Sequence, residues 1–279
     1  MPTREQTNEE AIQLFHELAK PTHLELSSAW LRIYQILLWF EPVNWLGYTM
    51  LPHIIDADKL RPNSPRQQLS WSKPKIWQRR AQWISDYLGN ELGCAIEELP
   101  DKTDLLMKKP NYQGLQRQNI LGTAFTGLIK HVLEAFGAPN IHYGNEVEGT
   151  KIFPGVAFPG RSSTPRIDIL AEREGTPLAV LSAKWSLRHD RLSDITNECP
   201  IYKASYQRIF RTSERPQLRY FVITNEFDPA RLNKILDDTC ADGVVHVHKP
   251  AVTEICQLDG RLDKLIDLED FVKQTFDWR

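Results

Sequence analysis

The sequence has no apolar run approaching the roughly 18–20 residues that cross a bilayer, so no transmembrane helix is expected. Its first ten residues, "MPTREQTNEE", are polar and acidic and lack the basic start and apolar core of a signal peptide. Cysteine is scarce, with 4 among 279 residues. Cys94, Cys199, Cys240 and Cys256 form no C-x-x-C pair and have no histidines at zinc-finger spacing. That pattern predicts separate structural thiols in a reduced, cytoplasmic protein. No Gly-rich phosphate loop, Ser-His-Asp set, internal repeat or low-complexity tract is visible. An excess of one charge is also missing: 34 Lys and Arg against 36 Asp and Glu leave a formal net charge of -2. Any affinity for nucleic acid must therefore come from local clustering of basic residues.

What is present reads as two parts. Residues 1–100 are expected to form a helical N-terminal domain. In "EEAIQLFHELAK" the apolar Ala11, Ile12, Phe15 and Leu18 recur at helical spacing. "AWLRIYQILLWF" follows the potential caps Ser27 and Ser28 and is stopped by Pro42. "KPKIWQRRAQWISDYLGNELG" reads as a third helix after a Pro-rich connector. Residues 101–279 alternate between helix and strand. "LQRQNILGTAFTGLIKHVLEAFG" is a long helix ended by Gly137 and Pro139. Strands are expected in "NIHYGNEVEG", "PRIDILAE", "PLAVLSAKWSL", "LRYFVITNEF" and "DGVVHVHKP". Helices are expected in "RLSDITNECPIYKASYQRIF", kinked or split at its internal proline, in "DPARLNKILDDTC" and in the closing "LIDLEDFVKQTFDWR". Alternation of this kind argues an α/β class with a mixed central sheet flanked by helices.

Two charged residues interrupt the apolar strands. Asp168 begins "IDIL" after a turn, and Lys184 ends "LAVLSAK". If those strands pair, carboxylate and ammonium emerge together, where they would hold a divalent metal and position an attacking water. Hard cations want several oxygens, so a second acid is needed. The residue two before the lysine is Ser182, which does not supply one. Glu198, fourteen residues past Lys184 on the next helix, would bring a carboxylate back to the site. Directly after the lysine strand come Arg188, His189, Asp190 and Arg191. An Arg fork meets guanine O6 and N7, and an Asp accepts from cytosine N4, so Arg188, Asp190 and Arg191 form a matched set for G·C pairs.

This compound pattern resembles the PD-(D/E)XK nucleases, and among them the CCGG-family type II restriction endonucleases. The resemblance covers about thirty residues: Asp168, the Ser-x-Lys of Ser182–Lys184, the displaced Glu198 and the R-x-D-R of Arg188–Arg191. It departs from the family in having Ile167 rather than Pro before the first Asp, with Pro165 three residues upstream. The long helix offers only Gln116, Gln118 and Asn119 where some members place another acid, and Glu146 is a candidate substitute. The resemblance implies a restriction-endonuclease-like mixed β-sheet flanked by helices, beside the helical N-terminal domain. It implies Mg²⁺ held by Asp168 and Glu198, with Lys184 and Ser182 completing the catalytic set. It implies cleavage of double-stranded DNA at a palindromic CCGG-centred site, flanked as WCCGGW or ACCGGT, leaving 5′ CCGG overhangs. A symmetric homodimer, or a higher homo-oligomer assembled on DNA, would read each half-site with the same residues.

Plainer readings stand beside these. Asp168 and Lys184 also fit a structural ion pair, Arg188–Arg191 a solvated helix start, and Glu198 an ordinary exposed helix residue. The basic residues Lys73, Lys75, Arg79 and Arg80, and then Lys203, Arg208, Arg211 and Arg215, fit either phosphate contacts or wet helix faces. His246 and His248 fit one face of a strand better than a metal site. At the level of function, a structure-specific or repair nuclease of the same fold and a catalytically inactive DNA-binding module remain alternatives.

Overall fold

The computed structural model describes residues 4–19, 30, 33–34, 36–37, 103, 105–115, 119–158, 166–187, 189–210, 217–256, 258 and 262–278. Contacts divide the chain into two compact units, Met1–Leu128 and Ile129–Arg279.

In the first unit, helix α1 (Arg4–Ala19) buries Ala11, Ile12, Leu14, Phe15 and Leu18. This is the stripe that the apolar spacing predicts. Ile33, Tyr34, Ile36 and Leu37 are helical and buried, as expected of a helix apolar nearly all round. Helix α2 (Ile120–Phe136) begins in this unit, and the division between units falls within it. Gly127 lets it approach α1: a Cβ there would stand 3.1 Å from the Asn8 carbonyl oxygen. Glu17 accepts hydrogen bonds from Lys109 Nζ (2.7 Å) and Tyr112 Oη (2.6 Å). Burial acts to raise the Glu17 pKa, yet the two donors and the Lys109 charge together hold it below its ordinary value. The third expected helix and the basic residues Lys73–Arg80 lie outside the described residues.

The second unit is mixed α/β. Its six-stranded sheet has strands in chain order: β1 (His142–Glu148), β2 (Arg166–Arg173), β3 (Thr176–Lys184), β4 (Arg219–Thr224), β5 (Gly243–His246) and β6 (Leu265–Asp267). β1, β2 and β3 pair antiparallel; β3 to β6 pair parallel. Glu174 and Gly175 join β2 to β3, both with positive φ, as a two-residue type I′ hairpin requires. The parallel strands are connected through helices α3 (His189–Ile209), α4 (Pro229–Leu236) and α5 (Lys249–Ile255). Every crossover advances the same way across the sheet, so right-handed connections put all three helices on one face. On the opposite face, Phe271 of helix α6 (Leu268–Gln274) meets Phe221 edge-on, and Trp278 stacks on Phe221. β3 reads as a continuous apolar run because both its faces are covered.

Three expectations change. Cys199 and Cys240 are joined in a disulfide across 41 residues, so they are not separate thiols; the fold, not local spacing, brings them together. α3 is not split at Pro200 but runs through it as a single helix of 21 residues. The closing segment opens with β6 before its helix begins, because pairing with β5 captures Leu265–Asp267. Among the described residues, no helix is long and apolar enough to cross a membrane.

Candidate active site

Strand register decides which side chains share a face. Ile169 pairs with Leu181, which sets Asp168 opposite Ser182. Ser182 pairs with Val222, Lys184 with Thr224 and Val180 with Tyr220. Since alternate residues of a strand point to one side, Asp168, Ser182, Lys184 and Tyr220 lie on the same face of the sheet. The side chains meet there. Asp168 Oδ2 pairs with Lys184 Nζ and accepts from Ser182 Oγ at 3.3 Å. The side chains of Lys184 and Asp168 are 20% and 14% exposed, so the pair is largely shielded from bulk water.

Glu198 comes to this face on α3. From His189 to Glu198 the helix rises about 13 Å, close to the span of the four residue steps along β3 from Lys184 back to Val180. Val180 pairs with Tyr220, and Glu198 acts on Tyr220. The fully buried Tyr220 hydroxyl is pushed well above its usual pKa, first by burial and next by the Glu198 carboxylate. Asp168 adds to the rise, whereas Ser182 acts in the opposite sense. One phenol thus senses both carboxylates that the sequence pattern singles out.

Asp168 and Glu198 both act on the Tyr220 hydroxyl. Among the described residues, no group of three or more His, Cys, Asp and Glu side chains is arranged to hold a metal ion. Two carboxylates nevertheless suit Mg²⁺, which keeps several waters and completes its shell with substrate phosphate oxygens. Glu146 lies on edge strand β1 opposite Asp168 in the register, at a positive φ of 53°, and its carbonyl accepts from Arg166.

The basic and polar candidates fare differently. His189 and Asp190 form the start of α3, but their side chains, like Arg188 as a whole, lie outside the description. Arg191 is exposed, with Asp194 3.9 Å away. Lys203 is committed to structure: it donates to the Cys240 carbonyl at 2.6 Å and pairs with Asp242 at 2.8 Å. Arg208 donates to the Pro154 carbonyl. Arg211, Arg215, Gln116 and Gln118 lie outside the described residues; Asn119, just before α2, accepts at its carbonyl from Thr123. His246 is buried with both ring nitrogens engaged: Nδ1 accepts from the His248 N–H, and Nε2 bonds the Glu226 carbonyl. It is a satisfied core histidine.

Two residues escape the sequence reading. Tyr220 looks like any aromatic of a buried strand until its register beside Val180 is known. Glu226 is 6% exposed, just past the end of β4. The visible signal for it was slight: an acid directly after a strong strand, "VITNEF", at the end of the sheet where Lys184 also lies.

Compared with known proteins, the chain matches no protein-family model and no curated protein.

Proposed function

We propose that the chain is a Mg²⁺-dependent endonuclease that cuts double-stranded DNA at a palindromic CCGG-centred site, on a restriction-endonuclease-like fold. The carrying observation is convergence on one sheet face. Asp168, Ser182 and Lys184 are joined by hydrogen bonds, and Glu198 bears on the same Tyr220 hydroxyl as Asp168. A structural ion pair alone does not call for a second carboxylate returning from the next helix.

Asp168 and Glu198 would hold Mg²⁺, which supplies charge neutralisation at the phosphate and a more acidic water. Lys184 is placed to orient the attacking water and to stabilise the negative charge that develops on the phosphate oxygens. Asp168 holds the lysine ammonium in position, and Ser182 fixes the Asp168 carboxylate. Water oxygen bonds to phosphorus, the bond from phosphorus to the 3′ oxygen breaks, and that oxygen leaves with a proton. Asp190 and Arg191 lie in the first turn of the helix that carries Glu198, and Arg188 directly precedes it in sequence, so base reading and catalysis would share one element. A palindrome requires two such sites about a twofold axis, hence a homodimer or a larger homo-oligomer on DNA.

Digestion of a sequenced DNA with Mg²⁺, with every new end read, tests this. Discrete fragments bearing 5′ CCGG ends are expected, and the neighbouring bases give the flank, WCCGGW or ACCGGT. A smear would point to a nuclease without fixed sequence, and intact DNA would overturn the reading.

A further inference from the structure

Between Lys184 and Arg188 lie three residues, Trp185, Ser186 and Leu187, whose path sets how the catalytic lysine stands relative to the base-reading group. Two connections from β4 hold that path. Asn225 N donates to the Trp185 carbonyl at 3.3 Å, which continues the β3–β4 ladder past Lys184. The buried Glu226 carboxylate does the rest. Its Oε2 accepts from Leu187 N at 2.8 Å, Ser186 Oγ at 3.1 Å and Arg231 Nη1 at 3.0 Å. Its Oε1 accepts from Phe227 N and Asp228 N, both at 2.9 Å.

A buried carboxylate is costly unless it is paired and its lone pairs are filled. Here five donors fill them. Capping α4 is not the reason for its presence, because Asp228 already caps that helix by accepting from Ala230 N and Arg231 N. What Glu226 adds is the link from the β4–α4 turn to Ser186 and Leu187. Its backbone is fixed in turn: its N–H donates to Thr224 Oγ1, and its carbonyl is bonded by the buried His246. The anchor is therefore rigid and the segment it holds is short.

We propose that Glu226 is a positioning residue, which sets the geometry of the Trp185–Leu187 segment between Lys184 and the start of α3, and so couples recognition of the bases by Arg188, Asp190 and Arg191 to hydrolysis. The proposal rests on the nuclease reading above. Glutamine keeps the shape of Glu226 but turns an amide N–H₂ toward donors on one side, so Glu226→Gln loses either the turn or the segment. Ser186→Ala removes a single bond and is the milder variant. Asp228→Ala removes the α4 cap, lowering stability without touching the bonds to Ser186 and Leu187.

The experiment has two readouts on the full chain. Amide hydrogen exchange is followed in peptides spanning Trp185–Arg191. Cleavage is compared between a CCGG-centred site and the same site with one base of the core changed. Glu226→Gln is expected to speed exchange in that segment and to lower the cognate-to-altered ratio, each by about tenfold, the scale of one hydrogen bond to a charged group. Ser186→Ala should move both in the same direction by less, and Asp228→Ala should leave the ratio at the wild-type value. An unchanged ratio and unchanged exchange in Glu226→Gln, or in Ser186→Ala if the former does not fold, would overturn the proposal. A wild-type chain that leaves all DNA intact overturns the nuclease reading and the coupling with it. The exchange arm, which needs no cleavage, would then show separately whether Glu226 holds the segment.

Discussion

Asp168 and Lys184, sixteen residues apart, form an ion pair across adjacent antiparallel strands, with Ser182 donating to the same carboxylate oxygen. Each charge depends on the other for its direction. Lys184→Ala should therefore lower the cleavage rate by about 10²–10³ or more, the usual scale for one group that stabilises developing phosphate or oxyanion charge. Asp168→Asn keeps the side-chain shape and should also abolish cutting. On the proposed function, DNA binding should persist in both, because the residues proposed to read bases, Arg188, Asp190 and Arg191, are other residues. Single-turnover cleavage beside a gel-shift titration without metal checks this. Wild-type cleavage by Asp168→Asn would remove the site assignment.

Tyr220 offers a test that needs no DNA. Its pKa is raised in the folded chain, so the folded state keeps a proton that the unfolded chain releases near the ordinary value of 10.0. Above that pH the unfolded state binds fewer protons, so stability falls as pH rises. The contribution is fully present below the unfolded value and is lost on the way up to the folded one, at no more than about 1.4 kcal/mol per pH unit for one proton. Tyr112 and Tyr143, whose pKa values burial also raises, add to the same alkaline loss. Tyr220→Phe should flatten the decline measured by urea unfolding between about pH 9 and pH 11. Glu198→Gln should lower the Tyr220 pKa, because it removes the strongest of the negative charges acting on it. Absorbance titration of the phenolate in the two variants resolves this, and no change in Glu198→Gln would separate Glu198 from the site. In cleavage, Glu198→Gln should raise the Mg²⁺ concentration for half-maximal rate by about tenfold or more.

The sequence made part of this legible, and the reasons differ by residue. Asp168 and Lys184 stood out because charge inside an apolar strand is conspicuous, and alternation with a short hairpin then fixes the face they share. Glu198 was singled out by the need for a second acid and its place on the helix after Lys184; helical rise alone gives its distance along the helix but not the face it takes. Tyr220 was invisible, and Glu226 nearly so, because their roles depend on parallel pairing of β3 with β4, a contact between segments about forty residues apart. β6 was hidden for a related reason: three residues are too few to show alternation, and only pairing with β5 makes them a strand. The Cys199–Cys240 bond likewise reflects tertiary proximity, with α3 laid beside the turn before β5.

That disulfide fastens the helix that bears Glu198, one residue from Cys199. Closing a loop of 41 residues restricts the unfolded chain, and its reduction should cost about 2–4 kcal/mol of stability in the second unit. Lys203 supports the same junction through Cys240 and Asp242, so α3 should stay docked when the bond is reduced. Urea unfolding with and without a reductant measures the cost, and Cys240→Ser should match the reduced wild type. Cys256, buried with its thiol near the Phe227 carbonyl, serves as an internal control that stays protected until global unfolding. Equal midpoints with and without reductant would show that the bond adds nothing to stability.

Arg191 separates recognition from folding most cleanly. It is exposed, and its ion pair with Asp194, at 3.9 Å, is of the surface kind worth about 0–1 kcal/mol. Arg191→Ala should therefore leave the unfolding midpoint nearly unchanged. Its loss should appear on DNA alone, as about 1–3 kcal/mol of discrimination for the base it reads, because an Arg fork on guanine O6 and N7 has no substitute in alanine. The deficit should be confined to one symmetric pair of positions in the palindrome. A phosphate-contacting arginine behaves otherwise: its removal weakens binding to all sequences alike and reduces the salt dependence. Binding of the variant to a set of single-base-changed duplexes, at two salt concentrations, tells the two apart. A uniform loss with a shallower salt slope would reassign Arg191 to the backbone and leave base reading to Arg188 and Asp190.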